Sequence, residues 1–174
     1  MSQRFFYFDL GNVLCFFDHR LSAAQIAQLA NADPEAVYEL VYTNDLESRY
    51  ERGEISGNQF VAEISQSLGC VLDVTTTLSA ASAMFTPNQA ILPVLERLRS
   101  HNVQLGILSN TCDAHWNWIS QQRYNIIEGW FDPVVLSYEE GCMKPDPVIY
   151  RLATQRTGMA PENIFFTDDR IDNI

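Results

Sequence analysis

Residues 6–14, FYFDLGNVL, join a short apolar run to a single carboxylate. Residues 5–9, with four aromatic side chains in succession, predict a β-strand that is buried on both faces, as in a parallel sheet. The strand ends at Asp9, and Gly11 and Asn12 are typical of the turn that follows a strand. In parallel α/β sheets, ligands bind beyond the carboxyl ends of the strands. The stretch therefore predicts a buried strand that carries Asp9 to a ligand-binding edge.

Three further apolar runs have the same form as the first. They are residues 103–108, 134–136 and 164–167, and small polar or acidic residues follow each of them. Helical patterns separate these runs. Residues 87–100 repeat apolar side chains at helical spacing, and residues 145–157 begin with Pro and Asp, a typical helix start. The alternation predicts an α/β fold with a Rossmann-like, doubly wound parallel sheet.

Residues 19–85 contain no convincing strand pattern and are predicted to be helical. Three helical patterns lie in this region, at residues 21–30, 34–42 and 56–68. Ser56 is a suitable N-cap for the last of them. An all-helical insertion directly after the first strand predicts a small cap domain over the ligand-binding edge of the sheet. We therefore assign residues 1–18 and 86–174 to the core and residues 19–85 to the cap.

The composition is that of a globular protein that does not bind nucleic acid or membranes. Of the 174 residues, 47% are hydrophobic and 19% are charged, which argues against disorder. A net charge of −11 would repel the phosphates of nucleic acid. The apolar runs are too short to span a bilayer, and the N-terminus does not resemble a signal peptide. The four scattered cysteines indicate reduced thiols in a cytoplasmic protein.

Residues suited to binding a metal and a phosphate follow the predicted strands. They are Asp9 after the first strand, Ser109 and Asn110 after the second, Lys144 beyond the third, and Asp168 and Asp169 after the fourth. Carboxylates gathered at one edge repel one another, and a bound Mg²⁺ relieves that repulsion. The hydroxyl and amide groups can donate to phosphate oxygens, and Lys144 supplies a positive charge. An aspartate held beside a metal and a lysine stays ionised and can attack phosphorus.

Four motifs resemble, in order and spacing, those of haloacid dehalogenase superfamily hydrolases with a helical cap after the first strand. They are FDLGNVL, ILSNT, GCMKPDPVIY and IFFTDDRIDNI. The stretch YERGEISGNQFVAEISQSLG resembles the cap of the same group. The resemblance covers essentially the whole chain. Relatives continue for another strand and helix, so the resemblance implies that these elements are missing after Ile174.

The resemblance implies roles in phosphoryl transfer for residues of the first three motifs. Asp9 is the nucleophile, while Ser109 and Lys144 hold the phosphate together with Asn110. His115, Trp116 and Trp118 follow the second motif at helical spacing. Such residues more often pack than bind a ligand, but we include Trp116 as a candidate that lines the substrate pocket. The expected partner is a small phosphorylated metabolite, bound by a monomer or a weak homodimer.

The resemblance also implies a Mg²⁺ site built from the first and fourth motifs. Asp169 is expected to be a direct ligand, with Asp168 and Asn173 supporting it. Asp9 and the backbone carbonyl of Gly11 complete the predicted set.

Gly11 departs from the common pattern of the superfamily. Most of its phosphatases have Asp at this position, where the carboxylate protonates the leaving oxygen and then activates water. A branch of sugar-phosphate phosphatases with DLGNV resembles this chain, which implies activity on sugar phosphates, in particular sugar 1-phosphates with good leaving groups. Asp18 or His19 can be considered as substitute proton donors, although a role at the cap hinge is favoured for both.

The sequence favours one function and leaves two alternatives open. The favoured one is a Mg²⁺-dependent phosphatase that forms an aspartyl-phosphate. A metal-independent 2-haloacid dehalogenase also lacks the second aspartate, but its fourth motif resembles Ser-Asn, whereas this chain has Asp168 and Asp169. A catalytically weak relative used for binding is supported only by Gly11.

Overall fold

The computed structural model describes residues 4–121, 124, 127 and 129–174. Within these residues the strands are β1 (Phe5–Phe8), β2 (Cys15–Phe16), β3 (Thr86–Pro87), β4 (Gln104–Ser109), β5 (Val134–Leu136) and β6 (Ile164–Thr167). Four of them form a parallel sheet in the order β5-β4-β1-β6. The predicted parallel α/β sheet is therefore confirmed.

The helices of the described residues surround this sheet and fill the insertion after β1. The α-helices are α1 (His19–Ala30), α2 (Pro34–Tyr38), α3 (Leu46–Glu51), α4 (Gly57–Leu68), α5 (Val74–Ser82), α6 (Leu92–Ser100), α7 (Asp113–Gln121), α8 (Ser137–Glu140) and α9 (Pro147–Thr157). Single turns of other helix types lie at Glu39–Thr43 (π) and at Gln89–Ile91, Pro161–Asn163 and Ile171–Asn173 (3₁₀).

Strand β1 is buried because helices cover both faces of the sheet. On one face Phe8 belongs to a core cluster that includes Leu95 of α6 and Ile119 of α7. On the other face Tyr7 packs in a cluster with residues of α9, and its hydroxyl donates to the carbonyl of Ala153 at 2.8 Å. The succession of aromatic residues in β1 thus reflects burial on both sides, which holds the strand rigidly at the centre of the sheet.

The insertion after the first strand is helical, as predicted. Helices α1 to α5 and the π-helical turn lie between β2 and β3, and no residue from 19 to 85, all of which are described, is in a strand. Strands β2 and β3 pair antiparallel, with Cys15 opposite Pro87 and Phe16 opposite Thr86. The chain therefore enters and leaves the cap side by side. The division at residues 18/19 and 85/86 stays a prediction.

Most of the predicted helices are present, with changes at their ends. Ser56 caps α4 in a capping box, because its hydroxyl accepts from the Gln59 N–H while Gln59 accepts from the Ser56 N–H. The predicted helix 34–42 divides into α2 and the π-helical turn, and the predicted helix 87–100 begins with a 3₁₀ turn. Helices α3 and α5 were not predicted. No helix among the described residues has the length and apolar character needed to cross a membrane.

Candidate active site

The ends of β1, β4 and β6 bring three of the predicted site residues together. Asp9 directly follows β1, Ser109 ends β4, and Asp168 directly follows β6. These strands are neighbours in the sheet, and Phe8 is in register with both Ile107 and Thr167. The parallel register thus gathers their side chains at one edge, as expected for an α/β ligand site.

Lys144 joins this group through its backbone as well as its side chain. The side-chain amide of Asn110 accepts from the Lys144 N–H at 2.8 Å and donates to the Lys144 carbonyl at 3.0 Å. The buried Lys144 Nζ lies 3.0 Å from Asp9 Oδ1 and 2.5 Å from Asp168 Oδ2. It also donates to the carbonyl of Leu108 at 3.1 Å. One ammonium group therefore bridges two carboxylates at the floor of the site.

Burial and Lys144 act in opposite directions on the two carboxylates. Burial raises the pKa of Asp9, while the Lys144 charge and a hydrogen bond from Ser109 oppose the rise. Burial also acts to raise the pKa of Asp168, but hydrogen bonds from Lys144, the Arg170 N–H and Asn173 outweigh it, so the pKa is lowered. The ionised form of Asp168 is thus favoured, and it holds Lys144 in place beside Asp9.

Three carboxylates at this edge have oxygen atoms close enough to share a cation. Oxygens of Asp9, Asp168 and Asp169 lie within 4.8 Å of one another. Asp168 is already engaged by Lys144 and by Asn173, whereas Asp169 is exposed and accepts from Asn12 Nδ2 at 2.9 Å. An all-oxygen set of this kind is what Mg²⁺ prefers, so the residues present fit a magnesium ion.

A cavity of about 310 Å³ opens above these residues, between the sheet edge and the cap. From the core it is lined by Asp9, Gly11, Ser109, Asn110 and Lys144, all predicted site residues, together with Asp169 and Asn173. From the cap it is lined by His19, Tyr42, Glu47, Ser48 and Glu51. The volume suits a small metabolite rather than a polymer.

The cap side of the cavity carries a second group of titratable residues. Ligand atoms of Glu47 and Glu51 on α3 and of His115 on α7 lie within 4.8 Å of one another. Burial raises the pKa of Glu51 to about 7, with the negative charge of Asp9 adding to the rise. Burial and the neighbouring Glu51 raise the pKa of Glu47, while burial lowers the pKa of His115 to about 3. His115 is therefore neutral near pH 7, and the two glutamates retain protons more readily than exposed ones.

The model of the haloacid dehalogenase-like hydrolase family matches residues 4–174 of the chain. The chain belongs to this family. A D-ribitol-5-phosphate phosphatase from Bacteroides thetaiotaomicron is 25% identical over 175 residues, covering 96% of this chain and 83% of that protein.

Solved structures extend the comparison within the family. A family enzyme from B. thetaiotaomicron, crystallised with magnesium and inorganic phosphate, matches with a TM-score of 0.86 at 25% identity. The match covers 99% of this chain and 87% of that one. An (S)-2-haloacid dehalogenase from Pseudomonas putida is 31% identical over 131 residues, covering 74% of this chain and 56% of that protein. The family therefore includes relatives of both reaction classes considered from the sequence.

One sequence prediction about an individual residue needs correction. Trp116, predicted to line the substrate pocket, packs against the core cluster that contains Phe8 and lines a separate apolar cavity. His115, its neighbour on α7, faces the Asp9 cavity instead. Asn110 does lie at the site, but its side-chain amide is occupied by the backbone of Lys144.

The cap residues of the cavity were not predicted from the sequence. Glu47 and Glu51 lie on α3, a helix of six residues that was not predicted. The available signal was their spacing of four residues, which puts two glutamates on one helical face. Asp18 caps α1 by accepting from the N–H groups of Arg20 and Leu21, which agrees with the favoured hinge role.

Proposed function

We propose that this chain is a Mg²⁺-dependent phosphatase that hydrolyses small sugar phosphates through an aspartyl-phosphate on Asp9. The observation that carries the proposal is the buried Lys144 ammonium, 3.0 Å from Asp9 and held by Asp168. This arrangement sets a nucleophile beside a fixed positive charge in a cavity closed by the cap. The relative that is a sugar-alcohol phosphatase and the related structure with magnesium and phosphate support it.

Each core residue has a role that its contacts support. Lys144 opposes the rise that burial causes in the pKa of Asp9, which favours the ionised carboxylate that can attack phosphorus. Ser109 and Lys144 hold phosphate oxygens, and Asn110 positions Lys144 through its backbone. We assign Asp9, the Gly11 carbonyl and Asp169 to Mg²⁺, with Asp168 as support. When bound, the ion would neutralise charge on the phosphoryl group.

The lining of the cavity favours a polyhydroxylated substrate. The carboxyl groups of Glu47 and Glu51 and the hydroxyls of Tyr42 and Ser48 face a small space, and such groups form hydrogen bonds with sugar hydroxyls. The preference for sugar 1-phosphates stays a prediction that rests on Gly11, and it applies if no other residue of the cavity supplies the proton to the leaving oxygen.

The proposal is tested by phosphate release from a panel of sugar phosphates, with Mg²⁺ and with excess chelator. We expect turnover with Mg²⁺, none with chelator, and a weaker Mg²⁺ response in Asp169→Asn. Asp9→Asn should stop turnover while leaving the circular dichroism spectrum unchanged, because the amide has the same shape but cannot attack phosphorus. Undiminished phosphate release in chelator, or by Asp9→Asn, would contradict the mechanism.

A metal-independent 2-haloacid dehalogenase is the second candidate. The 31% identity to the Pseudomonas putida dehalogenase and the absence of a carboxylate at Gly11 favour it. Asp168 and Asp169 disfavour it, because a dehalogenase has no use for a magnesium site. Chloride release from 2-chloropropionate in the presence of chelator would decide for this candidate.

A further inference from the structure

Helix α3 directs two carboxyl groups from the cap into the cavity that holds Asp9. Glu47 and Glu51 are four residues apart, so they lie on the same face of the helix. None of the ion pairs among the described residues includes Glu51. The cation next to it in sequence, Arg52, pairs with Asp45 at 2.9 Å and Glu54 at 2.7 Å instead. Glu51 is thus a partly buried carboxyl group that forms no ion pair with a cation of the described residues.

We propose that Glu51 is the general acid and base of the reaction, taking the role of the carboxylate that is absent at Gly11. The inference rests on the proposed phosphatase function. It assigns the proton transfer to the cap, on the side of the phosphate opposite to Asp9.

The direction of attack places the leaving oxygen on the side of Glu51. The attacking and leaving oxygens of a phosphoryl transfer lie roughly in line, on opposite sides of phosphorus. Asp9 attacks from the sheet edge, so the leaving oxygen points toward the cap. Glu51 lines the same cavity from the cap side, and the charges of both Asp9 and Lys144 act on it. Asp18 is excluded because its carboxylate caps α1.

The core side has little room for an acid at the usual position. A Cβ atom at Gly11 would lie 2.8 Å from Cε1 of Phe17. The Phe17 ring in turn packs against His19 and Phe85, with centroids 4.7 and 6.2 Å away. The Phe17 ring therefore occupies the space that a side chain at position 11 would need, and the proton donor has to come from another part of the cavity.

Glu51 can hold a proton at neutral pH because of the groups around it. Glu47 and Glu51 are partly buried carboxyl groups on one helical face, and both do not ionise together without a cost in free energy. The negative charge of Asp9 on the core side adds to this effect. Neutral His115 faces the pair from α7, while Lys144, Arg170 and Arg52 act in the opposite direction. The resulting pKa of about 7 is close to the value at which a carboxyl group serves as both acid and base.

The structure also fixes the position of Glu51 against the core. Its backbone carbonyl accepts from Ser137 Oγ at 2.6 Å, and the same Oγ accepts from the Thr111 N–H at 2.9 Å. Thr111 belongs to the motif that supplies Ser109. The end of α3 is therefore tied to the phosphate-binding segment through one buried hydroxyl, which holds the proton donor in register with the nucleophile.

The proton is conserved over the two steps. In the first, Asp9 Oδ forms a bond to phosphorus, the bond from phosphorus to the leaving oxygen breaks, and that oxygen takes the proton of Glu51. In the second, water attacks phosphorus and gives a proton to the Glu51 carboxylate. The bond to Asp9 then breaks, which releases inorganic phosphate and restores both carboxyl groups.

The test compares Glu51→Gln with Glu47→Gln in the full chain with Mg²⁺. Single-turnover release of the alcohol isolates the first step, which is measured with p-nitrophenyl phosphate and with a hexose 6-phosphate. We expect Glu51→Gln to slow release from the hexose phosphate by roughly 10²–10⁴-fold, and release of p-nitrophenol far less, because that leaving group needs no proton. Phosphorylated Asp9 should then accumulate, since water is no longer activated.

Glu47→Gln is the matched control, one helical turn away in the same cavity. Glu47→Gln should lower the rates with both substrates by similar factors. Its rate should still decline above neutral pH, whereas this decline should be absent in Glu51→Gln. Equal slowing of the two substrates by Glu51→Gln, or the selective loss appearing in Glu47→Gln, would overturn the proposal. If the unmodified chain releases phosphate from neither substrate, the phosphatase function itself is wrong.

Discussion

Lys144 is the residue whose surroundings explain why three acids can share one edge of the sheet. Its ammonium lies between Asp9 and Asp168 and is fully buried. Without it, two buried carboxylates would face each other uncompensated, a situation that costs several kcal/mol. The electrostatics of Asp9 thus depend on a residue that lies 135 positions away in sequence (144 − 9).

A substitution at Gly11 tests directly whether a carboxylate at this position can replace Glu51 as the proton donor. The φ of Gly11 is not in the left-handed region, so Gly11→Asp does not strain the backbone, but the new Cβ has to displace the Phe17 ring. We expect a loss of roughly 1–3 kcal/mol in the free energy of unfolding, as for overpacking. In the Glu51→Gln background, it should restore part of the lost rate on a hexose 6-phosphate.

The measurement is urea unfolding together with single-turnover rates. Phe17→Leu serves as the companion variant, since a smaller side chain should reduce the stability loss of Gly11→Asp. A rate that stays low in the stable double variant would show that a carboxylate at position 11 does not reach the leaving oxygen.

At the scale of the element, α3 has one apolar face that anchors it and one acidic face that lines the cavity. Its buried residues Leu46 and Tyr50 anchor it in the cap core, while Glu47 and Glu51 face the cavity. The Tyr50 hydroxyl donates to Asp113 at the start of α7. The helix is therefore held by its apolar face and by the core, and its carboxyl groups are kept in an environment that disfavours their charge.

This arrangement predicts how stability depends on pH. The pKa of Glu51 is about 7 in the folded chain and 4.5 in the unfolded reference. Between these two pH values the folded chain keeps the proton of Glu51 and the unfolded chain loses it. The contribution of Glu51 to the free energy of unfolding is therefore fully present below pH 4.5 and falls by up to about 1.4 kcal/mol per pH unit as the pH rises toward 7. In metal-free protein, Glu51→Gln should gain stability relative to the unmodified chain over this window. Urea unfolding from pH 4 to 8 measures this difference, and parallel profiles would contradict it.

At the scale of the whole molecule, close contacts hold the cap against the core, and we expect activity to depend on them. Gly53 lies just after α3 with φ +70°, and a Cβ there would meet the Tyr138 carbonyl oxygen at 2.4 Å. Only glycine allows the backbones of cap and core to approach so closely. This contact and the Ser137 hydrogen bond act together at the end of α3.

Gly53→Ala is expected to disturb this seating, with Gly69→Ala as its control. Gly69 has nearly the same φ, +66°, but no atom within 4 Å of its added Cβ. Gly69→Ala should cost about 1–2 kcal/mol from backbone strain alone and leave kcat/KM nearly unchanged. Gly53→Ala should cost more and lower kcat/KM for alkyl phosphates, because Glu51 moves with α3. Thermal unfolding and steady-state assays measure both effects, and equal behaviour of the two variants would argue against the docking role.

Local patterns in the sequence were sufficient to predict the sheet and the residues at its edge. The strands are short apolar runs, and each is followed by polar or acidic residues. In a parallel sheet the carboxyl ends of the strands lie at the same edge, so these residues mark the ligand-binding edge. The cap was predicted as helical for a similar reason. Its longer helices, such as α4 with its Ser56 cap, have several turns of periodic pattern.

Only the tertiary structure decided which cap residues meet Asp9. Helix α3 has six residues, too few for a periodic pattern. In the sequence its two glutamates are typical of a solvent-exposed helix face, whereas in the folded chain α7 and the sheet edge partly cover them. Trp116 and His115 are adjacent in sequence, and the packing of α7 sends one to the core and the other to the cavity. The sequence by itself determined that Asp9 follows a buried strand, since this depends on local structure. The proton donor proposed here depends on burial by distant elements, and burial is a property of the folded chain.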